Sequence, residues 1–98
     1  MADFEWDLNK ENRNIQKHGI DFTAATLIWD GQVFERPDHR DYGEVRFQAF
    51  GAVEDRILTV IFTWRGQARR IISARKANLR EKRLFETEIS KLGRPPPD

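Results

Sequence analysis

Arginine side chains are concentrated in one stretch of the chain, which runs from Arg65 to Lys76 and follows an apolar, β-branched segment. The stretch reads Arg65-Gly66-Gln67-Ala68-Arg69-Arg70-Ile71-Ile72-Ser73-Ala74-Arg75-Lys76. A guanidinium stays charged at physiological pH, and its planar fork meets phosphate oxygens in pairs. The stretch therefore has the chemistry to hold a phosphate and to stabilise the charge that develops when a phosphate reacts.

The charge of the chain is divided unevenly along its length. Residues 1–64 carry seven basic and twelve acidic side chains, a net of −5, whereas residues 65–83 carry eight basic side chains and one acidic, a net of +7. The whole chain has a net charge of only +1. This distribution indicates a localised anion-binding surface, for which nucleic acid is the usual partner. A solvated strand edge and helix face would carry the same charges, so that interpretation stays open.

If the bound nucleic acid is RNA, the chain has side chains of the types that cleave it without a metal ion, although the sequence pattern alone does not show cleavage. The reaction needs a base for the ribose 2′-OH, cations for the phosphorane and an acid for the leaving 5′ oxygen. Arg65 and Arg75, near strand ends, are the predicted catalytic cations. His18 is the predicted base or acid because imidazole titrates near neutrality, and Glu44 is the alternative base. His18 could instead cap a helix end, and Glu44 could pair with Arg46.

Five further side chains are predicted to contact RNA. They are Lys17, Trp6, Arg69, Arg70 and Lys76. The cations would bind phosphates, and the Trp6 indole would stack on a base, a contact worth roughly 1–3 kcal/mol. Packing of Trp6 in the core is the competing interpretation.

One loop carries side chains of the types that bind metal ions, namely Asp38, His39 and Asp41. One histidine and two carboxylates lack the second cluster that a closed site needs. The sequence contains no P-loop and no glycine-rich dinucleotide motif. It also contains no cysteine, which excludes thiolate chemistry and disulfides. We therefore expect neither a metal nor a cofactor.

The segments that must position these side chains predict an α+β domain: a short N-terminal strand, two helices, a four-stranded antiparallel meander and a C-terminal helix. Predicted helices begin at the caps Asp7, Asp21 and Asn78, the last of these forming a capping box with Glu81. In chain order the predicted elements are a strand at 3–6, helices at 8–18 and 22–29, strands at 33–36, 44–51 and 57–64, a strand after Gly66-Gln67, and a helix from 79 to about 92.

Side chains alternate between the two faces of a strand. In the strand after Gly66-Gln67, this alternation predicts one face formed by Arg69, Ile71, Ser73 and Arg75, and an opposite face formed by Arg70, Ile72 and Ala74. The prediction groups two of the proposed phosphate-binding arginines, Arg69 and Arg75, on a single surface.

Ninety-eight residues suffice for one domain with a single core. We predict that domain at residues 1–93, with 94–98, which include three prolines, as a flexible tail. No run approaches the roughly 20 apolar residues of a membrane span. The N-terminus lacks the charged and apolar regions of a signal peptide. We expect a cytoplasmic protein without a membrane partner.

A set of short segments spread over residues 4 to about 86 has a distinctive order and spacing. The segments are Phe4-Glu5-Trp6-Asp7, Lys10, Asn14, Lys17-His18-Gly19-Ile20-Asp21-Phe22, Ala25, Asp38, Tyr42-Gly43-Glu44-Val45-Arg46-Phe47, Thr63-Trp64-Arg65-Gly66, Arg70-Ile71-Ile72-Ser73-Ala74-Arg75-Lys76-Ala77 and Glu81. In these the chain resembles the BrnT toxins of bacterial type II toxin–antitoxin modules. It departs from them in Phe85, where many relatives carry tyrosine, and in the proline tail.

This resemblance implies a RelE-like fold and a ribonuclease that arrests translation when unopposed. It also implies a ribbon-helix-helix antitoxin of the BrnA type, which covers the toxin and represses the operon jointly with it, so that operator DNA is contacted only through the antitoxin. From the residues alone, two other classes stay open. One is a non-catalytic nucleic-acid-binding module or co-repressor, and the other is an interaction domain whose basic face docks an acidic partner.

Overall fold

The computed structural model describes residues 3–40 and 43–92. Its elements in chain order are β1 (Asp3–Trp6), α1 (Leu8–His18), α2 (Phe22–Thr26), a 3-10 turn (Leu27–Asp30), β2 (Val33–Asp38), β3 (Arg46–Val53), β4 (Arg56–Arg65), β5 (Ala68–Lys76) and α3 (Leu79–Leu92). The α+β class is confirmed. The predicted second helix is shorter than expected, because it tightens into the 3-10 turn after Thr26. The predicted tail at 94–98 lies outside the described residues.

All five strands form one sheet in the order β1-β5-β4-β3-β2. Strands β2 to β5 pair antiparallel in sequence order, as predicted. However, β1 joins the outer edge of β5 in parallel, so the prediction of a four-stranded antiparallel sheet is wrong and the sheet is five-stranded and mixed. A parallel pair needs a long connection, here most of the chain, and the local pattern of Asp3–Trp6 carries no information about so distant a partner.

Two-residue turns join the three central strands. Gly66 has a φ of 58° and lies between the paired residues Arg65 and Ala68, which confirms the predicted tight hairpin. Glu54, with a φ of 57°, occupies the turn between β3 and β4. Left-handed backbone in such turns matches the twist of the flanking strands, so these turns fix the register of the sheet.

The helices cover both faces of the sheet. On the face that we call the α1 face, α2 and the 3-10 turn bury a core that includes Phe22, Ile28, Val60 and Phe62, and α1 lies beside this core along β5. Gly51 allows the close approach of the 3-10 turn, because a Cβ there would lie 2.6 Å from Ile28 Cβ. On the opposite face, which we call the α3 face, α3 contacts β2 and β3. Among the described residues, no helix is long and apolar enough to span a membrane.

A bulge in β5 changes which side chains share a face. Ile61 pairs with Ser73 and Phe62 pairs with Ile71, which leaves Ile72 without a partner on β4. The extra residue reverses the alternation, so Ile71 and Ala74 are buried in the same core. The prediction that Arg69, Ile71, Ser73 and Arg75 share a face is therefore wrong. Arg69 and Ile71 lie on the α1 face, whereas Ser73 and Arg75 lie on the α3 face.

Helix α1 closes the edge of β5 that β1 leaves open. β1 pairs only with residues 68–71 of β5. Beyond them, the buried Asn14 amide donates to the Ala74 carbonyl at 2.8 Å and accepts from the Ala74 N–H at 3.1 Å. The same amide donates to the Ile20 carbonyl at 2.9 Å. The side chain thus takes the place of a neighbouring strand and fixes α1 against β5.

Candidate active site

The last turn of α1 presents Lys17 and His18 beside β5. Asp7 caps the start of the helix by accepting from the Lys10 N–H at 3.0 Å. Gly19 ends the helix with a φ of 71°, and its N–H donates to the Ile15 carbonyl at 2.8 Å. These local signals fix where the helix stops and hence where the two basic side chains lie.

Residues from distant parts of the chain meet in an open groove of about 320 Å³, which we call the His18 groove. It is lined by Lys17, His18, Arg40, Arg46, Ile61, Ile72, Ser73 and Arg75. The structure therefore brings together two predicted catalytic residues, His18 and Arg75, and one predicted RNA contact, Lys17. Sequence reasoning missed Arg40 and Arg46 as site residues. Their position depends on the pairing of β2 with β3, in which Asp38 lies opposite Arg46, and no local motif signals that pairing.

Arg75 is held in the groove by Glu81 of α3. Its Nη1 and Nη2 donate to Oε1 and Oε2 of Glu81 at 2.6 and 2.8 Å. The predicted capping box is also present, since the Asn78 N–H donates to Glu81 Oε1 at 2.9 Å and Asn78 Oδ1 accepts from the Glu81 N–H at 2.8 Å. Thr59 donates to the same carboxylate at 3.1 Å. Arg75 has five N–H donors, so this fixed guanidinium keeps donors for a phosphate.

The network keeps both partners charged. Hydrogen bonding to Glu81 raises the pKa of Arg75. Burial by itself acts to raise the pKa of Glu81. The hydrogen bonds and positive charge of Arg75, together with hydrogen bonds from Asn78 and Thr59, outweigh burial and hold this pKa below its ordinary value. Because both carboxylate oxygens are occupied, Glu81 orients Arg75 and is poorly suited to accept a proton from a substrate.

The surroundings of His18 favour its neutral form. Burial lowers the pKa of His18 below its ordinary 6.5, and the positive charges of Lys17 and Arg75 lower it further. At neutral pH the imidazole is therefore mostly neutral, which is the form that accepts a proton.

The other two predicted catalytic residues, Arg65 and Glu44, lie in a separate groove. This groove of about 560 Å³ is lined by Glu44, Val45, Phe47, Thr63, Trp64 and Arg65. Glu44 Oε2 lies 4.0 Å from Arg46 Nε, which matches the alternative interpretation of Glu44 as an ion-pair partner. The structure thus divides the predicted catalytic set between two neighbouring grooves, linked through Glu44 and Arg46.

Arg69, one of the predicted RNA contacts, packs among aromatic rings on the α1 face. Its guanidinium carbon lies 4.8 Å from the ring centre of Trp29 and 4.6 Å from that of Trp64. Its Nη2 donates to Glu35 at 3.1 Å. These cation–π contacts and the ion pair give Arg69 partners within the protein. A role in RNA binding stays a prediction.

Three further predicted RNA contacts also lie outside the His18 groove. Arg70 donates to Glu5 on the neighbouring strand at 2.6 Å. The Trp6 ring meets Phe22 edge-on, with centres 6.0 Å apart, and packs against the core, as the competing interpretation held. Lys76, next to Arg75 at the C-terminal end of β5, lines a different groove together with residues of α3 and of the β3–β4 turn. Their contacts with RNA stay predictions as well.

Within residues 3–40 and 43–92, no group of three or more histidine, aspartate or glutamate side chains is placed to hold a metal ion. In the loop considered above, Asp38 is buried and accepts from Arg40 at 3.0 and 2.8 Å. Asp41 lies outside the described residues.

Comparison with known proteins decides the family. Residues 6–81, most of the chain, match the family described as "Ribonuclease toxin, BrnT, of type II toxin-antitoxin system". The chain belongs to the BrnT family. A similar BrnT is the Brucella abortus ribonuclease toxin, whose crystal structure at 1.1 Å resolution shares 33% sequence identity and a TM-score of 0.62, over 80% of this chain and 99% of that one. A comparison with curated proteins gives no match.

The resemblance seen in the sequence is thereby confirmed, and this BrnT-family chain is a ribonuclease toxin of a type II toxin–antitoxin system. Membership of such a system implies an antitoxin partner and an RNA target. The matched segment includes His18, Arg46, Arg75 and Glu81. The His18 groove, and the hydrogen bonds of Glu81 that hold Arg75 in it, therefore lie within the residues that match the family.

Proposed function

We propose that this toxin is an endoribonuclease that cuts RNA by attack of a ribose 2′-OH on the adjacent phosphate, without a metal ion, and thereby arrests translation. The observation that carries the proposal is the His18 groove, where an imidazole with a lowered pKa lies beside guanidinium groups from separate parts of the sheet. This combination supplies a proton acceptor and phosphate-binding cations in one place.

In the proposed reaction, neutral His18 accepts the proton of the 2′-OH. The 2′ oxygen then forms a bond to phosphorus, and the bond from phosphorus to the 5′ oxygen breaks. Arg75 and Arg46 stabilise the additional negative charge of the phosphorane. The Lys17 ammonium, which lines the same groove, protonates the leaving 5′ oxygen. The products are a 2′,3′-cyclic phosphate and a 5′-hydroxyl end.

The residues of the neighbouring groove have supporting roles in this proposal. Glu44, 4.0 Å from Arg46, orients that guanidinium, and Arg65 contacts RNA beside the site. For the partner, we propose a ribbon-helix-helix antitoxin of the BrnA type that carries the contacts to operator DNA. The sequence resemblance supports this partner and also supports a RelE-like fold. Translation takes place in the cytoplasm, and we propose that the protein acts there.

The test uses the two histidines of the chain, His18 and His39. Purified protein is incubated in EDTA with a labelled RNA of defined sequence, with and without ribosomes, and the ends of the fragments are identified. We expect 2′,3′-cyclic phosphate ends and a loss of about 10²- to 10⁴-fold in rate for His18→Ala, the usual effect of removing a general base. His39→Ala is the matched control, because exposed His39 lies outside the groove.

A second candidate function is a non-catalytic RNA-binding module or co-repressor. The pairing of Arg75 with Glu81 favours it, since a guanidinium already held by a carboxylate has a structural role whether or not a phosphate reacts nearby. RNA that is bound but left intact by the wild-type protein, with and without ribosomes, would contradict catalysis and favour this candidate. Wild-type rates for folded His18→Ala would instead leave cleavage in place and contradict the assignment of the base.

A further inference from the structure

We propose that α1 binds the RNA backbone to one side of the scissile phosphate through Lys10 and Arg13, while Lys17 stays at the scissile phosphate. This subsite rests on the proposed function, because it extends the His18 groove along the helix. A second groove of about 310 Å³ runs along α1 and is lined by Lys10, Arg13, Asn14, Lys17, His18, Ile72 and Ser73. We call it the α1 groove.

The α1 groove and the His18 groove are continuous. They share four lining residues, Lys17, His18, Ile72 and Ser73. The shared wall lies where the bulge at Ile72 and the end of α1 meet. A strand whose phosphate lies beside His18 can therefore continue directly along α1, and its following phosphates meet the cations there.

The cations of the α1 groove are available to an external anion. Lys10, Arg13 and Lys17 follow a spacing of three and four residues, which places them on one face of the helix. Among the described residues, no carboxylate lies within 4 Å of their charged groups.

The acidic side chain of α1 is directed elsewhere. Glu11 accepts from the Phe22 N–H at 2.9 Å and from the Trp6 indole N–H at 3.2 Å, contacts that lie toward the core and away from the groove. Glu11 therefore does not neutralise the positive charge of the groove face.

The dimensions favour a nucleic-acid strand. At a rise of 1.5 Å per helical residue, Lys10 and Lys17 lie about 10 Å apart along the axis, a length covered by about three stacked nucleotides at 3.4 Å each. The row of cations points along the helix toward His18, so a strand seated on it is aligned with the site of cleavage. An acidic protein segment bound in the groove would not need to reach the His18 imidazole. The alignment of the cations with His18 therefore favours RNA over a protein partner.

The experiment compares Lys10→Ala/Arg13→Ala with wild type on three RNAs: a short one around the cleavage site, one extended on the 5′ side and one extended on the 3′ side. We expect wild type to prefer one of the extended RNAs, with the preference measured as the ratio of its kcat/KM to that of the short RNA. In the double variant this ratio should fall about tenfold or more. Lys82→Ala/Arg83→Ala is the matched control, because these exposed α3 cations line neither groove.

Binding of the same RNAs, blocked by 2′-O-methyl groups, separates this proposal from the proposed function. The double variant should weaken binding of one extended RNA and reduce the slope of log K against log salt by about 1.4, or about 0.7 per lost phosphate contact on a single strand. If wild type cleaves nothing but this binding result holds, the cleavage proposal fails and the subsite stands. An unchanged preference and an unchanged salt slope would overturn the subsite. Loss of binding to the antitoxin alone would overturn it too, and would assign the groove to a protein partner.

Discussion

The arginines of β5 and the cations of α1 differ in what faces them. Each of the β5 arginines meets a carboxylate from another element; the pairs are Arg69 with Glu35, Arg70 with Glu5, and Arg75 with Glu81. Lys10, Arg13 and Lys17 face a groove instead, with no carboxylate of the described residues within 4 Å. Three of the eight basic side chains of residues 65–83, the segment with the largest positive charge in the sequence, are therefore paired with carboxylates in the fold.

The comparison separates two uses of positive charge. The β5 arginines connect β5 to other elements of the fold, because their partners lie on β1, β2 and α3. Among the described residues, the α1 cations form no ion pair with another element, and Arg13 Nε donates only to the Asn9 carbonyl of its own helix at 3.3 Å, so their charge can act on whatever enters the groove. Arg75 combines both uses, since it is paired with Glu81 and also lines the His18 groove. Substitutions on the two sides should therefore affect different measurements.

The largest effect is expected for Glu81→Gln. Glu81 is buried and Arg75 is 35% exposed, so removing the carboxylate leaves a half-buried guanidinium without its partner, and we expect a loss of about 3 kcal/mol in the free energy of unfolding, the lower end for a buried pair. Urea unfolding followed by circular dichroism at neutral pH measures it, with Glu86→Gln on the exposed side of α3 as the control. Equal stability of the two variants would show that the pair contributes nothing.

The same pair should make stability depend on pH. The folded-state pKa of Glu81 lies below 4.5, so the unfolded chain binds the proton more readily than the folded protein does. The contribution of the carboxylate is therefore complete above about pH 4.5 and is lost as the pH falls through the folded-state pKa. The difference in the free energy of unfolding between wild type and Glu81→Gln should therefore decrease as the pH falls below about 4.5. Urea unfolding at a series of acidic pH values measures it.

The next effect is expected for Asn14→Ala, which tests how α1 is held against β5. The substitution leaves the N–H and the carbonyl of Ala74 without their partner, and we expect a loss of about 2 kcal/mol. Gln16→Ala, on the exposed side of the same helix, is the control for helix propensity. If both variants unfold at the same urea concentration, the amide does not replace a strand as we describe.

A smaller effect concerns the pH dependence of cleavage. If neutral His18 is the base, log(kcat/KM) should rise with a slope of one at low pH and level off below pH 6.5, because burial and the charges of Lys17 and Arg75 lower the pKa of this histidine. An NMR titration of His18 should give a midpoint below 6.5. A midpoint above that value would contradict the described surroundings of the imidazole.

The smallest effect is expected for Arg70→Ala. The pair of Arg70 with Glu5 is partly exposed, with 28% and 42% of the two side chains accessible, so we expect a loss of at most about 1 kcal/mol in stability. We also expect RNA affinity and its salt dependence to change less than for Lys10→Ala. Equal losses of RNA affinity in the two variants would remove the distinction between paired and unpaired cations.

Local interactions allowed the helix ends and the β4–β5 turn of this protein to be predicted from its sequence. Asp7 and Gly19 fix α1, Gly66 fixes the β4–β5 turn, and Asn78 with Glu81 starts α3, each through contacts within a few residues. The spacing of short motifs also indicated the family, which the comparisons confirm.

Only the tertiary structure decided how the cations are used. The parallel addition of β1, the bulge at Ile72 and the ion pair of Arg70 with Glu5, 65 residues apart, all depend on which segments meet in space. The same is true of the groove that brings His18 to Arg46. A count of charges along the chain does not include the carboxylates that other elements place near these cations. The attraction between two charges depends on their distance and burial in the folded protein.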